Sequence, residues 1–348
     1  MSCGGKDNAT KPQTDYLFAF SDDSCRCINY MDEYIFTNSF TDASLFYNGF
    51  ALIQDKDGNW GYIDRKGMPA LPAVYEKATV FSEGLAWVSK KGDMPGAIND
   101  KGEVKVSLRK TKEVRVFQEG RAAFSTFKKN YYFWGYLDKN GNEIITAQFR
   151  AVRDFRLGLA AVQDNVEGKW GYINLLGELV IPYQYQEAHS FNDEGYALIK
   201  ANDRYFAIDR KGTLIHEFQH ERMIPDGSIY MICNNGHWGW CDASGKTFIE
   251  CVYEDVKPFG NARLAPVRIA GKWAYISKEG NTVIKRQFTD AYPFVGDLAA
   301  VQTGIMWGFV NDKGVYAINP QYDAISQDYL NQAVGQGSVF TTLHIDTQ

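Results

Sequence analysis

The string Trp170-Gly171-Tyr172-Ile173-Asn174 decides how this sequence is interpreted, because near copies of it recur along the 348-residue chain. Five copies share the leading Trp: Trp60-Gly61-Tyr62-Ile63-Asp64, Trp134-Gly135-Tyr136-Leu137-Asp138, Trp238-Gly239-Trp240-Cys241-Asp242, Trp273-Ala274-Tyr275-Ile276-Ser277 and Trp307-Gly308-Phe309-Val310-Asn311. Two more keep the frame without it: Pro95-Gly96-Ala97-Ile98-Asn99 and Tyr205-Phe206-Ala207-Ile208-Asp209. Successive copies start 33 to 39 residues apart, which is a period typical of tandem-repeat proteins.

Two other features follow the same period. Every copy has a Gly seven residues after its first position, with an Asp, Asn or Ser three residues before that Gly: Gly67, Gly102, Gly141, Gly177, Gly212, Gly245, Gly280 and Gly314. The side-chain oxygen caps a tight turn there, and the Gly adopts the positive φ that closes a hairpin. An aromatic usually stands fifteen residues after the first position, as at Tyr75, Phe149, Tyr185, Tyr253, Phe288 and Tyr322.

Each repeat predicts three short strands: one like Leu159–Val162, the Trp-Gly-Tyr-Ile string, and one after the turn, like Glu178–Ile181. Period-two alternation sends Trp and Tyr to one face and Gly and Ile to the other, so both faces must be covered. We therefore expect an all-β array of about nine face-stacked, three-stranded antiparallel meander units, with propeller-like packing. The small residue after Trp is expected to let the adjacent sheet come close.

Ring closure is left open by the sequence. Nine units exceed the usual four to eight blades of a propeller, which favours an open spiral over a closed ring. In the alternative, the C-terminal tail supplies a strand to the first blade. We expect a disordered N-terminal leash at 1–15 and one repeat domain at 16–348, with units near 16–44, 45–80, 81–116, 117–154, 155–190, 191–225, 226–258, 259–293, 294–326 and a partial one at 327–348.

The repeated strings resemble those of the WG-repeat family of bacterial proteins, and the resemblance covers nearly the whole chain. It implies a β-repeat fold and a protein often exported or surface-located, and it specifies almost no chemistry. The copies at Pro95 and Tyr205 depart from the motif, which argues against the Trp as a shared ligand contact.

The N-terminal stretch and the composition bear on location. Ser2-Cys3-Gly4-Gly5 is similar to the segment around the acylated Cys of a bacterial lipoprotein, so Cys3 is the predicted lipidation site. The protein is then expected at the cell envelope, facing the periplasm or the cell surface; an ordinary flexible cytoplasmic N-terminus is the alternative. A net charge of −5 gives no general attraction to nucleic acid or anionic lipid.

One stretch matches a zinc-peptidase motif. His216-Glu217-Phe218-Gln219-His220 reads H-E-x-x-H, which needs a helix so that both imidazoles reach one Zn²⁺. The repeat frame instead places His216 on the third strand of its unit and His220 at the recurrent aromatic position. On a strand these two residues lie about 13 Å apart. We therefore expect a chance match, without metal or cofactor.

Two other clusters carry candidate chemistry. Cys233, His237, Cys241 and Cys251 include metal-ligand types but no Cys-x-x-Cys knuckle, so buried thiols are favoured over zinc; a disulfide among these cysteines remains an alternative for an exported protein. Lys105, Arg109, Lys110 and Lys112 form a basic strip in the repeat that lost its Trp. This strip is a candidate site for an acidic partner or anionic glycan, against the alternative of a solvated edge strand.

Every recurrent residue has a structural role in this interpretation, and the variable loops do not. We therefore expect a non-enzymatic binding or scaffolding module at the bacterial cell envelope, with a protein, peptidoglycan or polysaccharide partner. The alternatives are a zinc-dependent peptidase or other hydrolase using His216, Glu217 and His220, and a purely structural spacer.

Overall fold

The computed structural model describes residues 12–13, 16–21, 24–109, 111–128, 130–333 and 339–344. The first part of the chain supplies strands β1 (Pro12–Gln13), β2 (Leu17–Ser21), β3 (Ser24–Ile28), β4 (Asp42–Tyr47), β5 (Phe50–Gln54), β6 (Trp60–Asp64), β7 (Pro69–Tyr75), β8 (Lys77–Ala78), β9 (Ala86–Ser89), β10 (Gly96–Ile98) and β11 (Val104–Ser107). Of the predicted leash, the described part is Pro12–Gln13, which pairs with β4.

The middle of the chain adds β12 (Glu113–Arg115), β13 (Ala122–Lys128), β14 (Tyr131–Leu137), β15 (Glu143–Phe149), β16 (Ala151–Val152), β17 (Leu159–Gln163), β18 (Trp170–Asn174), β19 (Leu179–Tyr185), β20 (Glu187–Ala188), β21 (Tyr196–Ala201), β22 (Arg204–Asp209) and β23 (Leu214–Phe218). Then follow β24 (Arg222–Asp226), β25 (Ile229–Asn234), β26 (His237–Asp242), β27 (Thr247–Tyr253), β28 (Asp255–Val256), β29 (Leu264–Ile269), β30 (Lys272–Ser277) and β31 (Thr282–Phe288). The last elements are β32 (Asp290–Val295), β33 (Leu298–Thr303), β34 (Met306–Val310), β35 (Tyr316–Tyr322), β36 (Ala324–Ile325), helix α1 (Gln327–Ala333), a 3-10 turn (Val339–Thr341) and β37 (Thr342–His344).

These strands form nine antiparallel sheets arranged in a ring, so the described chain is a nine-bladed β-propeller. Each of blades 2 to 9 contains a four-stranded meander of consecutive strands, β4–β7 through β32–β35, and β1 and β37 add a fifth strand to blades 2 and 4. The prediction of three strands per unit was wrong. The additional strand is the first of each blade, and in blades 3, 5, 6 and 8 it has only two residues, too few to show alternation in the sequence.

The ring is closed, and the preference for an open spiral was wrong. Strand β36 pairs with β2 through Ala19↔Ile325 and Phe20↔Ala324, so the end of the chain completes blade 1, which also contains β3. This is the alternative in which the tail supplies a strand to the first blade. Pairing of the two ends satisfies edge strands that an open array would expose.

The C-terminal segment shows which edge of each blade faces the centre. Helix α1 packs on β32 and β4, while β37 pairs with β12 and also contacts β8. The strands β4, β8, β12 and β32 are the first meander strands of four different blades. One short C-terminal segment can contact all four only if the first strands of the blades line the centre of the ring. Fourth strands form the rim, where side chains alternate between buried and exposed over the last part of β15.

The predicted turns are confirmed. In the Asp64–Gly67 turn, the Gly67 N–H donates to Asp64 O at 2.9 Å, and Asp64 Oδ1 accepts from the backbone N–H groups of Lys66 and Met68. Gly67 has φ +75°. The same geometry recurs in the later blades, which pins the register of each rim strand.

The small residue after the motif Trp leaves room for the rim strand of its own blade, and it is Gly in five of the six Trp copies and Ala274 in blade 8. A Cβ at Gly135 would lie 2.4 Å from Ile145 O, because the rim strand bulges by two extra residues over this position. The expected close approach therefore comes from the rim strand and not from the adjacent sheet. In blade 6, Phe206 replaces the Gly and β23 pairs without that bulge, which accounts for the short 33-residue step from Tyr205 to Trp238.

A recurrent joint links successive blades. The Tyr two residues after Trp packs on a Phe nineteen residues further along, in the next blade, with ring centroids 4.7 Å apart for Tyr136 and Phe155. Its hydroxyl donates to a backbone carbonyl of that blade, as from Tyr172 to His189 O at 2.8 Å. The ring contact also joins Tyr62 with Phe81, Tyr172 with Phe191, Trp240 with Phe259 and Tyr275 with Phe294.

Candidate functional site

Four of the six motif tryptophans lie under cationic side chains. Arg153 stacks over Trp170 at 5.6 Å from the ring centroid and donates from Nε to Ala188 O of the next blade at 2.7 Å. Equivalent pairs join Arg115 with Trp134, Arg222 with Trp238 and Lys257 with Trp273. The Trp rings thus hold cations that tie blades together, which leaves them a structural role rather than a shared ligand site.

The first three residues of the H-E-x-x-H stretch lie on a strand and no part of it is helical. His216 and Glu217 belong to β23, and Glu217 forms an ion pair with Arg204 at 2.6 Å. His220 lies beyond the strand, with Nδ1 3.0 Å from Asn234 Nδ2. Its expected place at the recurrent aromatic position was wrong, because Phe218 stands opposite Tyr205 in a blade without the bulge.

The described residues contain no group of three or more His, Cys, Asp or Glu side chains placed to hold a metal ion. The zinc-peptidase alternative is therefore not favoured by the geometry. In an H-E-x-x-H helix both imidazoles lie on one face. Here His216 is on β23, whereas His220 lies beyond the end of that strand.

The cysteines of the described chain are free thiols: Cys25, Cys27, Cys233, Cys241 and Cys251. Cys233 and Cys241 are buried on neighbouring strands of blade 7, and His237 is exposed at the start of β26. Burial raises the pKa of Cys241 to about 12. This thiol stays protonated at neutral pH and packs as a small apolar side chain.

The basic strip is spread out rather than gathered. Lys105 lies on rim strand β11 and pairs with Glu103 at 2.7 Å, while Arg109 is exposed in the connection that follows. Lys112 precedes the central strand β12, and Lys110 lies outside the described residues. The strip as a binding site stays a prediction.

A cleft between blades 2 and 3 lies close to the basic strip, with Val104 and Ser107 among its lining residues. Its volume is about 360 Å³, within the range of small-ligand pockets. Buried Tyr75, Val88 and Ile98 form an apolar floor, and the exposed Met94 and Val104 stand at its mouth. Polar groups at the cleft come from Ser89, Lys90, Asp93 and Ser107. We call this the blade 2–3 cleft.

The cleft exists because blade 3 departs from the repeat. Its rim strand β11 has four residues, against seven in β7 or β15, and Gly96 pairs directly with Ser107 without the two-residue bulge. The bulge that lies over the motif Gly in blade 4 is therefore absent from blade 3, where Val106 O is the backbone atom nearest to a Cβ built at Gly96, at 2.9 Å. The missing Trp at Pro95 signalled an irregular blade, but the sequence did not predict a cavity.

Blade 4 carries the other unusual surface. Strands β13 and β14 have seven residues each and extend their hairpin past the length of the blade 5 hairpin, which joins five-residue strands. Near its tip Phe127, Tyr131 and Tyr132 are 55%, 69% and 46% exposed, and the rings of Phe127 and Tyr132 lie 5.1 Å apart. We call this surface the blade 4 hairpin. Exposed clustered aromatics are typical of interaction surfaces.

The hairpin was missed in the sequence because its aromatics match the aromatic content of ordinary strands. The signal was present in the spacing: the copy at Trp134 starts 39 residues after that at Pro95, the longest step in the chain. The Phe of the inter-blade joint was also missed in the sequence. It stands nineteen residues after the motif Tyr at Phe81, Phe155, Phe191 and Phe294.

Nine blades joined by repeated aromatic and cationic contacts define a repeat β-propeller whose distinctive surfaces lie on its variable hairpins. The sequence profile of the WG containing repeat matches residues 60–92, 134–170, 170–205, 238–273, 273–304 and 307–329. Together these segments span more than half of the chain, and the chain belongs to the WG-containing repeat family.

The fold is similar to that in a crystal structure of the eukaryotic initiation factor, with a TM-score of 0.61 and 12% identity over 91% of this chain and 98% of that chain. BamB from Moraxella catarrhalis matches with a TM-score of 0.40 and 10% identity, over 78% of this chain and 96% of that chain. The first likeness shows the fold alone, and the second is too weak to support an inference about this chain. No curated protein matches the chain by sequence.

Proposed function

We propose that the protein is a non-catalytic binding or scaffolding propeller that docks a protein partner on the blade 4 hairpin. The observation that carries this proposal is the exposure of Phe127, Tyr131 and Tyr132 at the tip of a hairpin that extends beyond that of blade 5. Tyrosines supply large contact area at low entropic cost and are enriched where interfaces gain most of their energy.

The structural use of the repeated residues supports a binding role over catalysis. In blade 5, Trp170 packs under Arg153, and Gly171 makes room for the rim bulge. Tyr172 forms the inter-blade joint. Repeat proteins with such uniform interiors generally place their specificity in variable surface segments. Peptidoglycan or a polysaccharide is the second class of partner, through the basic strip.

We place the protein at the bacterial cell envelope, held to a membrane by lipid on Cys3. The support is the small-residue setting of Ser2-Cys3-Gly4-Gly5, which lies outside the described residues. No helix in the part of the chain covered by the structure has the length and apolarity to cross a bilayer. Mass spectrometry of the protein made from its native gene should find acylated Cys3, and a Cys3→Ser variant should lose it.

Site-specific photo-crosslinking tests the docking surface. Benzoylphenylalanine replaces Tyr131 in one variant and, as a matched control, Ile305 in another, because Ile305 is 81% exposed on the corresponding hairpin of blade 9. Irradiation in the native host should give one discrete protein adduct from position 131 and none from 305. Equal adducts from both positions, or none from 131, would overturn the proposed surface.

A further inference from the structure

We propose that the blade 2–3 cleft receives the apolar side chain of an acidic polypeptide segment. The inference rests on the proposed binding function and names the chemistry of the partner. It starts from the cavity itself, which is lined by residues of blades 2 and 3, and blade 4 follows blade 3 along the chain.

The shape of the cleft suits one bulky side chain. Tyr75, Val88 and Ile98 are 8%, 5% and 1% exposed and present an apolar floor, while Val104 and Met94 at the mouth are 62% and 60% exposed. An inserted Leu, Phe or Met would contact the floor and cover the two exposed side chains. Binding sites of this size are mostly apolar with a few polar groups that fix orientation.

The charge around the cleft selects an acidic ligand. The hairpin that joins β9 and β10 carries two lysines and one aspartate: Lys90, which lines the cleft, its neighbour Lys91, and Asp93. Among the described residues, none of these three forms an ion pair. The Lys105 charge near the mouth is already offset by Glu103. Unpaired ammonium groups at a rim attract carboxylates and raise the association rate.

The neighbouring hairpins show that this charge is local. The blade 4 hairpin adds Lys128 and, in sequence, Lys129, so blades 3 and 4 together are basic on a chain of net charge −5. The hairpins of blades 2 and 5 are net acidic, with Asp55, Lys56, Asp57 and with Asp164, Glu167, Lys169. An acidic segment would therefore be attracted to blades 3 and 4 and repelled by the hairpins on either side.

The hydrogen-bonding groups fit a peptide backbone. Ser89 and Ser107 line opposite sides of Gly96, which pairs with Val88 and with Ser107. Their hydroxyls both donate and accept, so either can bond an amide group of a bound segment. An acidic peptide could place an apolar side chain on the floor of the cleft, carboxylates near Lys90 and Lys91, and backbone amides within reach of the Ser89 and Ser107 hydroxyls.

The test is selection of a random dodecapeptide phage library on the immobilised full chain. Enriched peptides should carry excess Asp and Glu with one large apolar residue. Synthetic copies, measured by fluorescence polarisation, should bind Ser107→Trp about tenfold more weakly, because the indole fills the cleft. They should bind Lys90→Glu several-fold more weakly, with a smaller loss at high salt.

Two matched variants act as controls. Val283→Trp places the same indole on rim strand β31 of blade 8, where Val283 is 47% exposed, and Lys272→Glu reverses a charge on the hairpin of that blade. Both should bind as the unmodified chain does. Failure to enrich acidic peptides, or equal binding to Ser107→Trp, would overturn the inference about the cleft. Crosslinking from position 131 is a separate readout, so its persistence would leave the binding function standing.

Discussion

The hydroxyl of the motif Tyr should contribute measurably to the stability of each inter-blade joint. Tyr172 is fully buried, and its hydroxyl donates to His189 O at 2.8 Å across the joint. Tyr172→Phe keeps the ring packed on Phe191 but leaves a buried carbonyl without its donor. Removing one partner of a buried hydrogen bond costs about 1–2 kcal/mol, so the free energy of unfolding should fall by that amount.

Urea unfolding followed by tryptophan fluorescence measures this change. With an m-value of about 3 kcal/mol/M, the unfolding midpoint should fall by about 0.5 M. The matched control is Tyr131→Phe, which removes an exposed hydroxyl from a 69% exposed side chain and should change stability by less than about 0.5 kcal/mol. Equal midpoints for both variants would refute the view that the hydroxyl holds the blades together.

Other predictions concern titration, the rim bulge and ring closure. Burial and the Arg153 charge lower the pKa of His189 from 6.5 to about 4, so the contribution of its neutral form to stability is complete above pH 6.5 and is lost as the pH falls from 6.5 to 4. Between pH 7 and pH 5 the loss should be about 2 kcal/mol, and urea titrations of a His189→Leu variant should lack it; equal losses in both proteins would contradict the assignment. Gly239→Ala places a Cβ 2.3 Å from Ile249 O and should cost about 1–3 kcal/mol, with no change in the melting temperature as the contrary result. Ile325→Asp puts a carboxylate into the closing strand, where Ile325 is 4% exposed; the ring should open and its radius of gyration in X-ray scattering should rise, whereas an unchanged radius would show that closure does not depend on β36.

The repeat and its turns could be predicted from sequence because both are local. A turn such as Asp64–Gly67 is made by one side chain capping backbone groups within four residues, and alternation along β18 shows that both of its faces are buried. These features depend on neighbours in the chain, so they appear wherever the motif appears.

The candidate site was only partly predictable. The loss of Trp at Pro95 marked blade 3 as different, but the cleft depends on how β11 pairs with β10 and on where Tyr75 of blade 2 lies. The strip at Lys105 to Lys112 was predicted from charge, and the structure adds that Glu103 Oε2 lies 2.7 Å from Lys105 Nζ.

The sequence by itself determined the period, the turn geometry and the two-sided burial of every blade, because each follows from contacts within a few residues. Only the tertiary structure decided the fourth strand, the bulge over the motif Gly and the closure of the ring. Two-residue strands such as Ala151–Val152 carry no readable alternation. Closure depends on the angle accumulated over nine blades until Ile325 meets Ala19, and no local pattern encodes a contact between residues 306 positions apart.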